Sequence, residues 1–303
     1  MKVRMIQLGF IVLAASVLAL SAYAIDKKSV LVYYPCDEGS GEDVKDASGN
    51  DRHAEWRKGV AKRDVGKWTV GKFGKALDFE AAGKYCVAYE TKKDAALDEA
   101  AGGKPFTISY WVRSKNATGK GRTVDKGSHG CNKGWHSAVN GEKIIFEASD
   151  GGGCIHHWDE AVSDGKWHHV AHSIIPAKTV KTYIDGVQEL GDFAAMAAKK
   201  SISSEDGRPL ALGVSFEFNT EFLNAQLDDI AIFNYAMSKD EINELGKGPL
   251  KEILAVESMG KLTTTWGAIK MVPSTAKQLN FGHQWISWMK GSEKFYCWNE
   301  KFV

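Results

Sequence analysis

Cysteine is scarce: five in 303 residues. None stands in a CxxC pair, which excludes a zinc ribbon or a dithiol redox centre. Net charge is nearly absent too, at +1, and offers neither nucleic acid nor an anionic membrane a field to follow. There is no GxSxG elbow, no P-loop, and no GxGxxG between a strand and a helix. The usual signatures of a serine hydrolase, an NTPase or a dinucleotide enzyme are therefore missing. No apolar run beyond residue 24 approaches the roughly 20 residues that span a bilayer. The first 24 residues hold the one long apolar run. Lys2 and Arg4 precede the stretch Met5 to Leu20, and Ala22-Tyr23-Ala24 follows it. That is the layout of a cleaved secretory signal. It predicts a mature chain that starts near Ile25 in a secreted, periplasmic or extracellular setting, with no membrane span left after cleavage.

What the chain has in quantity is alternation. In Ser163 to Gln188, Trp167, His169, Ala171, Ser173 and Ile175 fall on one face of a strand and His168, Val170, His172 and Ile174 on the other. Pro176 ends that strand because it has no amide hydrogen for a ladder. Val180, Thr182 and Ile184 then alternate with Lys181, Tyr183 and Asp185, and Asp185-Gly186 supplies the dipeptide suited to a type I′ hairpin. Similar short strands recur along the chain: Val30 to Cys36, Ala76 to Phe79, Tyr85 to Tyr89, Phe106 to Arg113, GWHSAVN, KIIFEAS, Leu210 to Val214 and Leu227 to Phe233. Strands at this spacing between glycine-rich turns give an all-β, two-sheet sandwich and not a βαβ fold. Ser238 and Glu241 form a capping box for a last short helix.

The phrases GKWHHVA and VKTYIDGV resemble the centre of the laminin-G-like, concanavalin A-like jelly-roll domains of secreted bacterial proteins. LVYYPC-DEGSG, VKDASGNDRHA, GKWTVGKFGKALDF and LDDIAIF-NYAM resemble that family's other phrases, in its order, from about Val30 to Leu245. Cys36 departs from the pattern, standing where the family usually has a large apolar residue. The resemblance implies an antiparallel jelly-roll sandwich. It divides the chain into a signal (1–24), a laminin-G-like jelly roll (25–248) and an irregular extension (249–303). Residues 251–270 resemble the terminal tag that follows such domains in some uncultured marine bacteria, and residues 271–303 crowd tryptophans without a repeat.

The resemblance also implies one structural calcium ion where the first loop meets the closing strand. Calcium takes six to eight hard oxygens from loop carboxylates and carbonyls; Asp37, Asp46, Asn50 and Asp229 are the candidate ligands. The other reading of these residues is that they satisfy local turns. Cys131 and Cys154 flank the GWHSAVN–KIIFEAS hairpin and are the candidate disulfide. Cys36 and Cys86 are a second pair or two buried thiols, and Cys297 is left over. The histidines of the central strand do not make a zinc site, because His168 and His172 sit about 13 Å apart along it. Enzymes of the resembled fold cleave β-glucans with an E-x-D-x-x-E set. Glu217 and Glu221 come nearest, with Asn219 where an acid is needed, so the domain is read as non-enzymatic.

These readings converge on a secreted, non-catalytic binding module for carbohydrate or a cell-surface glycoconjugate. Trp111, Trp135 and Trp158 would be its stacking platforms, and Trp167 is placed in the core. An adhesion or structural protein that binds protein or envelope ligands is the alternative, and a glycoside hydrolase of the same fold is the third reading.

Overall fold

The computed structural model describes residues 25–61, 64–90, 94–101, 103–114, 119–127, 134–149, 154–188 and 207–255. The signal segment, Cys131, Cys297 and residues 256–303 lie outside the described residues, as do the side chains of residues 154–161. Sixteen strands follow in chain order. They are β1 (Val30–Tyr34), β2 (Asp43–Val44), β3 (Ala54–Lys58), β4 (Lys67–Val70), β5 (Lys75–Phe79), β6 (Tyr85–Tyr89), β7 (Phe106–Arg113) and β8 (Lys120–Lys126). The second eight are β9 (Gly134–Asn140), β10 (Lys143–Ser149), β11 (Cys154–Ala161), β12 (Trp167–Ile175), β13 (Thr179–Ile184), β14 (Val187–Gln188), β15 (Leu210–Leu212) and β16 (Ala225–Phe233). Two short α-helices, α1 (Ala95–Ala101) and α2 (Lys239–Leu245), two 3-10 turns (Lys27–Ser29 and Ala81–Gly83) and a helical turn at 250–255 complete the elements of the described chain.

The strands form two antiparallel sheets. Sheet A runs β14-β13-β12-β7-β16-β5-β4, with β1 pairing the second half of β16, and sheet B runs β11-β10-β9-β8-β15-β6-β3-β2. This is the two-sheet jelly-roll sandwich that the alternation and the resemblance led one to expect. The central meander forms as its turn chemistry dictates. β12 pairs β13 from Val170–Ile184 to Ile175–Thr179, and Asp185 and Gly186 both hold positive φ, 51° and 77°, as a type I′ turn requires. Ser238 caps α2 with the reciprocal Glu241 bond.

Alternation sorts the side chains. Val32, Ile108, Tyr110, Val112, Val170, Ile174, Leu227 and Ile232 of sheet A face Trp56, Val87, Val124, Trp135, Val139, Phe146 and Leu212 of sheet B in one apolar core. One polar chain crosses that core. The Tyr110 hydroxyl lies 2.6 Å from Ser137 Oγ, which lies 2.8 Å from His172 Nε2, while Nδ1 of the same ring is 2.9 Å from Thr182 Oγ1. His172 is thus a satisfied core residue that ties the sheets together.

Each sheet also carries a cover on its outer face. Met237, Ile242, Leu245 and Leu250 lie over Tyr33, Ala171, Tyr183, Ala231 and Phe233 on sheet A. The turn 250–255, with Leu250 1% exposed, packs on the sandwich beyond the expected boundary at residue 248. On sheet B, Val214 and Phe218 of the loop before β16 lie over Cys86, Ala88 and Ala211.

Candidate functional site

The four expected calcium ligands do not form one site. Asp46 is a knot of local bonds. Its Oδ1 accepts from the backbone N–H of Tyr33 (3.0 Å) and Ser48 (2.9 Å), and its Oδ2 from Ser48 Oγ (2.8 Å) and Arg52 N (3.0 Å). Asn50 turns its amide nitrogen inward, donating to the carbonyls of Val30 (2.9 Å) and Leu31 (3.0 Å). Arg52 Nη1 reaches the same Leu31 carbonyl at 2.8 Å while its guanidinium grips Asp94. Donors already fill this loop, and the carbonyls a hard cation would need are taken. Asp229 lies at the other end of Tyr33, accepting from its hydroxyl at 2.6 Å. Among the described residues, no three His, Cys, Asp or Glu side chains are disposed to hold one metal ion.

Asp229 owes its position to a bulge. From Asp228 to Ala231, β16 advances three residues while β7 advances two, from Trp111 to Ser109, and Asp229 takes φ 49°. Two successive aspartates are thereby buried at the outer face of sheet A. Asp228 Oδ2 accepts from Phe73 N at 2.9 Å, its Oδ1 has no partner among the described residues, and burial pushes its carboxyl up to about 7. Asp229 is pushed up to about 6, by burial above all. Asp37 joins them, braced by a turn that only glycine can make. Gly74 has φ +63°, and a Cβ there would stand 2.1 Å from Asp37 Oδ1.

Two of the three expected tryptophan platforms, Trp111 and Trp135, are buried. Trp135 is fully inside, packed on Phe106 with ring centroids 5.3 Å apart. Trp111 points outward from sheet A but is roofed: Phe73 packs edge-on at 5.6 Å, Lys72 Nζ lies 4.2 Å from the ring centre, and His169 lies beside it. Trp158 sits on β11 opposite Ile145 in register; its side chain is outside the described set. Cys154 opens the same strand opposite Ser149, which pairs on its other side with Gly134. β10 therefore stands between Cys154 and the strand that Cys131 precedes, while the disulfide itself lies outside the described residues. Cys36 and Cys86 are free buried thiols, and burial raises both. Trp167, expected in the core, is instead half-buried on the outer face beside Arg113, whose guanidinium lies 5.0 Å from the ring centre.

The outer face of sheet B carries acids, and they are neutralised. Arg122 bridges Asp125 and Glu221, and Lys120 Nζ bridges Glu147 (2.7 Å) and Glu221 (3.5 Å). His136 Nε2 stands 2.9 Å from Glu147. Burial pushes His136 down to about 4 and Asp125 up to about 6. Burial alone would also raise Glu147, but His136 and Lys120 outweigh it and hold the carboxyl well below its usual range. A glycosidase needs one protonated acid and one free carboxylate at the scissile bond. Glu147 and Glu221 are both depressed and ion-paired, which suits support of a sheet and not proton transfer.

Two concavities are found among the described residues; the one of about 260 Å³ lies beside Gly121 and Phe222, and the larger lies on sheet A, between the hairpin end of β12 and β13 and the start of α2. It has a volume of about 490 Å³ and is lined by Tyr183, Tyr235, Met237, Lys181, Gln188 and Lys239 among others. The Tyr235 hydroxyl donates to Glu241 Oε1 at 2.8 Å, and the Tyr183 hydroxyl donates to Gln188 Oε1 at 3.3 Å, so both rings are held. Among the described residues neither Lys181 nor Lys239 has a carboxylate partner. The alternation in β13 already put Lys181 and Tyr183 on one face. Sequence reasoning missed the site because nothing there showed that α2 would wall it.

A family model of the concanavalin A-like lectin/glucanases superfamily matches residues 90–243, just over half of the chain. The chain belongs to this superfamily. Solved structures share its fold at low identity. The binding domain of Paraclostridial Mosquitocidal Protein 1 aligns with a TM-score of 0.57 and 17% identity over 73% of this chain and 52% of its own. A botulinum neurotoxin type C structure, whose cell entry is described as dependent on two ganglioside molecules, gives 0.53 and 14% over 73% and 51%. Domain 4 of AbnA, a GH43 extracellular arabinanase from Geobacillus stearothermophilus in complex with arabinotriose, gives 0.53 and 16% over 72% of this chain and 98% of its own. The chain thus spans about half the length of the toxin domains and nearly all of the arabinanase domain. No curated protein sequence matches it.

Proposed function

We propose that this domain is an exported, non-catalytic module that binds carbohydrate in the groove between β13 and α2. The observation that carries the reading is the lining of that groove. It combines two anchored tyrosines, an amide and two lysines that have no carboxylate partner among the described residues, in one concavity of about 490 Å³. Sugar rings present C–H faces to aromatic rings and hydroxyls to amides and ammonium groups, and such mixed pockets suit them. Lys181 and Lys239 favour a glycan that carries uronate or sulfate groups. The arabinotriose complex of an arabinanase domain supports the assignment to a glycan. Export rests on the signal pattern of residues 1–24.

A glycan-array screen of the full chain, with titration of the hits, tests this. Tyr235→Ala should weaken binding at least tenfold without changing the unfolding temperature by more than a few degrees. Lys181→Gln should weaken binding to acidic glycans more than to neutral ones, and added salt should mimic it. Glycan binding that Tyr235→Ala leaves untouched would remove the groove from the account. A second reading, recognition of a protein surface, is favoured by one structural relative, a botulinum neurotoxin binding domain solved in complex with rat synaptotagmin II. Binding to glycoprotein that survives deglycosylation would move that reading forward.

A further inference from the structure

The Asp185-Gly186 turn that closes the central meander is gripped from β12. His168 sets both ring nitrogens on carboxylates: Nδ1 lies 2.8 Å from Asp185 Oδ2, and Nε2 lies 3.0 Å from Asp164 Oδ1. A neutral imidazole has one N–H and cannot donate twice, so only the imidazolium satisfies both contacts. The other oxygen of Asp185 accepts from the His169 backbone N–H at 2.9 Å, and Asp185 N donates back to the His169 carbonyl at 2.9 Å. Asp164 Oδ2 is taken by Lys166 Nζ at 3.0 Å. Among the described residues, Asp164 and Asp185 are the charged groups that act on the ring; β7 sets apolar Val112 opposite it, and α2 meets the turn with uncharged Asn243. Burial alone would favour the neutral ring, but the two aspartates outweigh it and raise His168 above its ordinary 6.5.

The turn held in this way positions both walls of the groove. It folds β14 back on β13, where Gln188 pairs with Tyr183 and accepts from its hydroxyl. It also abuts α2 so closely that a Cβ on Gly186 would stand 2.3 Å from Asn243 Oδ1. We infer that His168 is a proton-operated latch: charged, it locks the Asp164 and Asp185 turns and keeps the β13–α2 groove formed; neutral, it releases one of them and weakens ligand binding there. When the ring loses its proton, one nitrogen turns a lone pair to a carboxylate, and that contact changes from attraction to repulsion. Asp185 is the partner whose release reaches the groove, since its turn carries Gln188. The contribution of the charged ring is complete below its ordinary 6.5 and drains away as pH rises through the higher folded value. The last step, from turn to ligand, rests on the groove being the glycan site.

Three measurements on the full chain test the latch. Nitrogen NMR of the imidazoles should find His168 titrating above 6.5, with both nitrogens protonated below its midpoint, and Asp185→Asn should lower that midpoint. Protection of the Asp185 amide should fall about fivefold from about pH 6 to about pH 8.5, and His168→Gln should make it flat. Affinity for a glycan found by the array screen should fall by a similar factor over that range in the wild type and hold steady in the variant. A His168 midpoint at or below 6.5 would overturn the latch, as would pH-dependent protection that survives His168→Gln. A turn that loosens while glycan affinity stays flat would sever the latch from the groove. If no glycan binds at all, the groove reading falls, and the ring titration and amide exchange still decide the latch, since neither needs a ligand.

Discussion

The two outer faces of the sandwich are closed by opposite means. Sheet A is covered by apolar side chains of the C-terminal segment, Met237, Ile242, Leu245 and Leu250, set over Tyr33, Ala171 and Phe233. Sheet B combines a small apolar patch under Phe218 with a network of ions, Arg122, Asp125, Glu221, Lys120 and Glu147, most of it shielded from water. An apolar cover contributes in proportion to the area it removes from water, and it fails by degrees as methylenes are lost. An ionic cover contributes little net, because desolvation offsets attraction, but losing one partner strands the other. Face A should therefore be the more tolerant of substitution, and face B the more brittle.

The largest effect should come from breaking face B at its centre. Arg122→Met removes the cation from Asp125, which is fully buried, and should destabilise the domain by about 3–5 kcal/mol in chemical denaturation. The double variant Arg122→Met with Asp125→Leu should recover most of that loss. If the single variant costs less than about 1 kcal/mol, the network is better solvated than its burial states, and the contrast between the faces disappears. On face A, Leu250→Ala leaves a cavity at a residue 1% exposed and should cost about 2–3 kcal/mol, with no change in cooperativity. Truncation after Gly248 should cost more than Leu250→Ala, since it removes the Asp229 and Tyr33 bonds as well.

How much of this was legible beforehand divides along the same line. Alternation and turn dipeptides fixed most strands, the meander and the capping box, because each depends on neighbours in sequence. Face A was half-legible. SKDEINELGKG announced a helix, but Leu250 and Lys251 looked like the start of a tail, since the bonds that dock them run to Tyr33, Asp37 and Asp229, some 20 to 220 positions away in sequence. Face B was opaque. Lys120, Arg122, Asp125, His136 and Glu147 read as ordinary polar positions of three strands, and only the pairing of β8, β9 and β10 makes them a cluster. The tryptophans misled for a related reason. Outward alternation placed Trp111 correctly on the outer face of sheet A, but the roof over it comes from Lys72 and Phe73, on a turn that alternation cannot locate. Asp46 and Asn50 stand in a turn-rich loop, as the sequence predicts. Their alternative role as turn formers fits the observed bonds, because Arg52 and the Ser48 hydroxyl compete for the same oxygens.

The smallest effect is the one that separates the faces by pH. His136 is held at about 4, below its ordinary 6.5, because its buried ring resists charging. The unfolded chain takes up that proton more readily than the folded one, so the contribution of neutral His136 is complete above about pH 6.5 and drains away as pH falls towards 4. Asp125, raised from 3.8 to about 6, works the other way. The folded chain holds its proton more tightly, so stability is regained as pH falls from about 6 towards 4. Between pH 7 and pH 6 Asp125 is still largely ionised, and His136 acts with little opposition within face B; on face A, Asp228 and Asp229, raised to about 7 and about 6, gain stability over the same range, so the effect of His136 is read as the difference between wild type and variant. His136→Gln removes the first slope and leaves the second, so between pH 7 and pH 5 the variant should gain on the wild type by on the order of 1–2 kcal/mol. Amide hydrogen exchange locates the change. Protection in β9 and β10 should fall on acidification in the wild type and hold in the variant, with the difference centred on the Glu147–His136 register pair. Equal loss in β12 and β13 would mean that the buried ions of face B do not open as a unit of their own, and that the two covers fail together.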